Sequence, residues 1–143
     1  MAISTMKVSG EMGKGFKTTI HCSQDFIIDQ PAAMGGEGLG PNPMEVFLST
    51  LPACICAIGR IISNQERLGV NAISVEVEGD IDKDVLLGKT EEGRAGFTEI
   101  RALVDIDADM TTEEKEAFLE KITKRCPIAD NIINTTVVKE TVK

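Results

Sequence analysis

GPNPMEVFLSTLPACICAIGR, residues 40–60, carries no charged side chain between Glu45 and Arg60. Asn42 is a good N-cap, Pro43 suits the first helical position, and Glu45, three residues beyond the cap, can close a capping box. These signals predict a helix over residues 43–67. Pro52 lies in its interior, and Cys54 and Cys56 stand two positions apart. Apolar residues occupy nearly every face. Phe47, Thr50, Leu51, Ala57, Ile58 and Ile61 share the side of Cys54, while Val46, Leu48, Ile55 and Ile62 point elsewhere. Such a helix is expected to be enclosed all round, in a domain centre or at an oligomer interface. Pro52 removes the hydrogen bond to the Leu48 carbonyl, a loss of about 3 kcal/mol in an ordinary helix. The disturbance can open space at the thiol or simply curve the helix around a core.

N-terminal to this helix the chain reads as strands. Phe16, Thr18, Ile20 and Cys22 alternate with Lys17, Thr19 and His21, which puts Cys22 on an apolar face and His21, the single histidine, on a wet one. Residues 26–28 suit another short strand. A loop over 30–40 follows, with Gly35, Gly36, Gly38 and Gly40; no G-K-[ST] comes after it, so it is not a phosphate cradle. C-terminal to the helix, Ile73, Val75 and Val77 alternate with polar residues. Residues 80–96 are charged and contain glycine, as in a long turn, and Ile100, Ala102, Val104 and Ile106 mark a further one-sided strand. Thr111 and Glu114 form a second capping box, opening a helix to Arg125. Residues 135–142 suit a last strand. Strands and helices are partly segregated, which makes the class α+β, with residues 1–143 as one domain.

Composition narrows the function. The chain has 143 residues, 42% hydrophobic and 27% charged, as in a globular protein with a real core. Aromatics make up only 3% and the formal net charge is −8, so a nucleic-acid partner is not expected. The N-terminus has no apolar signal segment. The uncharged run 46–59 is shorter than the roughly 20 residues that span a bilayer, so no membrane partner is expected either. A cytoplasmic location follows, where cysteines serve more often as reduced, catalytic or metal-binding groups than as structural disulfides.

The four cysteines read differently. Cys54 can be a small core hydrophobe or a reactive thiol. Cys56, about 200° around the helix from it, cannot share its site and suits core packing. Cys126 continues the apolar i, i+4 series of Phe118 and Ile122. Pro127 ends that helix and can open another with Cys126 at its N-terminus, where backbone N–H groups would favour the thiolate. The alternative is a boundary cysteine that only packs. Cys22, Cys54, Cys56, Cys126 and His21 do not have the spacing of a zinc site, so no metal and no other cofactor is expected.

G-P-N-P-M-E-V-F-L-S-T-L-P-A-C, followed some seventy residues later by R-C-P-I-A, resembles the OsmC/Ohr family of osmotically inducible and organic-hydroperoxide-resistance proteins. The resemblance covers essentially the whole chain. It implies an OsmC-like fold, with curved antiparallel sheets around long central helices in an intertwined homodimer. It implies a thiol peroxidase as well: Cys54 at the attacking position forms a sulfenic acid, Cys126 resolves it to a disulfide, and a dithiol reductant restores the pair. An organic hydroperoxide would be the substrate, with Met44, Phe47 and Ile58 as apolar lining. Family peroxidases hold the attacking thiolate with an N-terminal arginine, whereas no arginine precedes Arg60 here. The family glutamate after N-P is Met44, and Glu45 follows one residue later as a supporting residue. The alternatives are a redox sensor or apolar-ligand binder without turnover, and a metal-binding module.

Overall fold

The computed structural model describes residues 1–143. Its elements, in order, are β1 (Ser9–Met12), β2 (Thr18–His21), β3 (Phe26–Ile28), α1 (Pro43–Glu66), β4 (Ala72–Ile81), α2 (Lys83–Leu86), β5 (Phe97–Asp107), α3 (Thr112–Arg125) and α4 (Pro127–Ile133). This is the expected α+β class, with every strand pairing antiparallel. The chain divides into two compact units, Met1–Phe47 and Leu48–Lys143.

In the first unit β1, β2 and β3 form a sheet in that order, with Ser9 opposite His21 and Thr18 opposite Ile28. The glycine-rich loop after β3 is wrapped around a buried carboxylate. Asp29 accepts the backbone N–H groups of Gln30 at 2.8 Å, Leu39 at 3.1 Å and Glu37 at 3.2 Å. These bonds, Leu39's foremost, hold the carboxyl below its usual range. The turns are tight enough that a Cβ at Gly36 would run into the Gln30 carbonyl, and one at Gly40 into that of Ile27. The loop delivers Asn42 to the capping box foreseen for α1: Glu45 N–H donates to Asn42 Oδ1 and Asn42 N–H to Glu45 Oε2, both at 2.9 Å.

In the second unit β4 and β5 pair along nearly their whole length, from Ala72 opposite Asp107 to Ile81 opposite Phe97. Their alternation turns Ile73, Val75, Val77, Ile100, Val104 and Ile106 onto Leu51, Ile55, Ile62, Phe118 and Ile122. Gly59 makes the close packing possible, because a side chain there would meet Ile73, Ile122 and Phe118. Thr111 and Glu114 close the second capping box.

Several expectations need correction. β2 ends at His21, and the chain then turns, so Cys22 is exposed and its thiol donates to the Gln24 carbonyl at 3.0 Å rather than entering a core. The span 80–96 is not only a turn: β4 runs to Ile81, and Asp82, accepting Asp84 N–H at 2.9 Å, caps the short α2. Residues 135–142 form no strand. No strand of this chain offers them a ladder, and Val137 and Val138 remain 81% and 76% exposed. Nor is α1 enclosed all round within the chain. It buries Leu51, Ile55, Gly59, Ile62 and Ser63, while Ala53, Ala57 and Ile61 face outward. The membrane argument from the uncharged run 46–59 also needs correction, because the whole helix, which spans 24 residues as expected, is by length and composition long and apolar enough to cross a membrane. The same length and composition serve a core helix, and its buried stripe joins the core of the second unit.

Candidate functional site

Two helices meet at a pair of thiols. Cys54 lies one turn after Leu51 on α1, half-buried against the core. Cys126 ends α3 and begins α4. Its extended backbone (φ −81°, ψ 109°) is the conformation that a following proline favours, and Pro127 opens α4 at the first position. Cys126 is buried, at 1% exposure, beside Phe118, Ile122 and Ala129. The two Sγ atoms share a hydrogen bond 2.7 Å long. That is within an ångström of the roughly 2.05 Å of a disulfide.

Backbone amides of α4 address both sulfurs. Ala129 N–H donates to Cys126 Sγ at 3.4 Å. Ile128 N–H acts on Cys54 and favours its thiolate. Burial works against this and is the largest influence, pushing the Cys54 thiol up; the bonded Cys126 adds in the same direction. Within the second unit no cationic side chain acts on Cys54. Arg60, on the same helix, spends its guanidinium on the carbonyls of Val70 at 2.7 Å and Asn71 at 3.2 Å. Arg125, next to Cys126, donates to Gln65 Oε1.

The other site residues fall as follows. Ile58 packs on the core of the second unit. Met44 and Phe47, at the start of α1, are 37% and 44% exposed. The carboxylate of Glu45 is engaged in the capping box. Cys56 points away from the thiol pair, donating to the Ile73 carbonyl at 3.5 Å. His21 lies in the first unit between Asp25 and Glu11, at 2.8 and 3.2 Å. The amide of Ile128 is the group at Cys54 that the sequence reading missed. The C-P signal pointed to amides at Cys126, but nothing in the sequence shows that the same helix also reaches Cys54. A groove of about 420 Å³ at the end of α1, floored by Leu68, Met110 and Phe118, contains none of the cysteines.

Residues 35–141 match the model of a family described as OsmC-like protein. A hydroperoxide reductase of Mycoplasma genitalium is 25% identical over 117 residues, 82% of this chain and 79% of that protein. The crystal structure of an OsmC-like protein from Mycoplasma pneumoniae superposes with a TM-score of 0.79 at 19% identity, covering 92% of this chain and 89% of the other. An organic hydroperoxide resistance protein from Legionella pneumophila does so at 0.68 and 22% identity, covering 92% and 91%.

Proposed function

The chain belongs to the OsmC-like protein family, and from that premise we propose that it is a thiol peroxidase reducing organic hydroperoxides through Cys54 and Cys126. The observation that carries this reading is the 2.7 Å sulfur pair. The name of the Mycoplasma genitalium relative points the same way.

In this reading the Cys54 thiolate attacks the outer peroxide oxygen. An S–O bond forms, the O–O bond breaks, and the organic fragment leaves as an alcohol after taking a proton. Cys54 is then a sulfenic acid. Cys126 attacks that sulfur, water leaves, and the S–S bond closes. Two thiols and one hydroperoxide thus give a disulfide, an alcohol and water. A dithiol reductant returns the pair to its starting state. Half-burial of Cys54 among apolar side chains suits an apolar hydroperoxide, and Ile58, in the same unit, is the residue we assign to its lining. Glu45 supports the site indirectly, by starting α1.

The exposed strip of Ala53, Ala57 and Ile61 on α1 is the surface we assign to a second copy of the chain.

A second reading, a redox sensor that oxidises without turnover, is favoured by one observation: Cys54 is pushed up by burial and has no cation of its own unit to favour its thiolate. Incubation with excess cumene hydroperoxide and excess dithiol separates the two. A peroxidase consumes many equivalents of peroxide per chain; a sensor consumes one and stops.

A further inference from the structure

A disulfide offers an incoming thiolate two sulfurs, and the two in this site are not equivalent. Cys126 is 1% exposed and belongs to the same buried cluster as Phe118, Ile122 and Ala129. Cys54 is only half-buried. Cys126 also has the Ala129 N–H at 3.4 Å, a donor already aimed at its sulfur. Thiol–disulfide exchange depends on access to the attacked sulfur and on stabilisation of the one that leaves. An α4 amide stands by each sulfur, Ile128 N–H at Cys54 and Ala129 N–H at Cys126, so access decides which of the two is attacked.

We propose, resting on the Cys54–Cys126 disulfide of the preceding reading, that the reductant attacks Cys54 and expels Cys126. The thiolate of a dithiol forms a new S–S bond with Cys54 Sγ. The Cys54–Cys126 bond breaks, and its electron pair leaves on Cys126 Sγ, which accepts the Ala129 N–H. The second thiol of the reductant, once deprotonated, attacks its own sulfur in the mixed disulfide. This releases Cys54 as thiolate and the reductant as a cyclic disulfide. Two protein sulfurs are reduced and two reductant sulfurs oxidised. Oxidant and reductant therefore enter at the same atom, one after the other. Cys126 never meets solvent; it serves as an internal resolving group and then as an internal leaving group.

The test traps the mixed disulfide. The protein is oxidised with one equivalent of cumene hydroperoxide or, in a parallel sample, with diamide, which forms disulfides without peroxide chemistry. Each sample then receives the monothiol 2-mercaptoethanol, is quenched in acid, alkylated with N-ethylmaleimide and mapped by peptide mass spectrometry. The expected result is the mercaptoethanol adduct on Cys54 and the maleimide on Cys126, by at least tenfold over the reverse. An adduct on Cys126, or an even split, would overturn the proposal. A disulfide formed by diamide but not by peroxide, with the adduct on Cys54, supports the proposal while defeating the peroxidase reading. Failure of both oxidants to join the two cysteines defeats both. Alkylation of the reduced single-thiol variants gives an independent check. Cys54 in Cys126→Ser should react with N-ethylmaleimide at least tenfold faster than Cys126 in Cys54→Ser, and equal rates would contradict the access argument.

Discussion

The sulfurs of Cys54 and Cys126 stand 2.7 Å apart although 72 residues separate them in the chain. The contact arises where the middle of α1 meets the junction of α3 and α4, and Pro127 shapes that junction by forcing the Cys126 backbone to be extended. In the proposed cycle, resolution of a sulfenic acid at Cys54 needs little movement, whereas an attacking group from outside must reach a half-buried atom.

Reactivity should depend steeply on pH. Burial first, and then the neighbouring Cys126, raise Cys54 above the usual thiol range, and the Ile128 amide only partly offsets this. The thiolate is the nucleophile, so its fraction, and the rate of peroxide-driven thiol loss, should rise up to about tenfold per pH unit from pH 6 to 8. Stopped-flow oxidation across that range is the check; a rate flat from pH 6 upward would mean that a cation already holds the thiolate.

Single-cysteine substitutions should sort the thiols by role. Cys54→Ser should abolish peroxide consumption. Cys126→Ser should still react once, leaving sulfenic or over-oxidised Cys54 that accumulates because nothing resolves it. Cys56→Ser should retain nearly full activity, since Cys56 bonds the Ile73 carbonyl and faces away from the pair. Intact-mass measurement after one peroxide equivalent distinguishes these products.

Much of this was legible in the sequence, and the exceptions have a common cause. Both capping boxes, the span of α1 and the C-P boundary at Cys126 rest on contacts within a few residues, which spacing reveals directly. Cys22 and residues 135–142 were misread because alternation shows what a strand would bury, but not whether a neighbouring strand exists to pair with it. The meeting of Cys54 with Cys126 could not be derived from either helix alone and came from the family resemblance. The Ile128 amide at Cys54 was missed because backbone donors carry no residue signature.

The first unit should carry a pH-dependent clamp. His21 bonds Asp25 at 2.8 Å and Glu11 at 3.2 Å, and these partners, Asp25 foremost, raise it above its ordinary value of 6.5. A base raised in the folded state stabilises fully below its unfolded pKa, about 6.5, and loses that contribution as pH rises through the folded value. His21→Gln should therefore lower the midpoint of unfolding at pH 6 and have much less effect at pH 9. An NMR titration of His21 with a midpoint at or below 6.5 would remove the basis for this expectation.

Assembly follows from the outward face of α1. Ala53, Ala57 and Ile61 present apolar surface that a second copy would cover. Sedimentation at micromolar concentration should show a dimer, and Ala57→Glu should shift it toward monomer by placing a charge in that surface. A wild-type monomer at that concentration would exclude the assignment.

The central claim is that Cys54 and Cys126 form one redox pair driven by organic hydroperoxide. Its most direct test is peptide mass spectrometry of the reduced protein after one equivalent of cumene hydroperoxide. The account predicts a product lighter by two hydrogens, in which the peptide containing Cys54 is joined to that containing Cys126, with Cys22 and Cys56 recovered as free thiols. A disulfide through Cys56 or Cys22, or four thiols left unchanged, would contradict it.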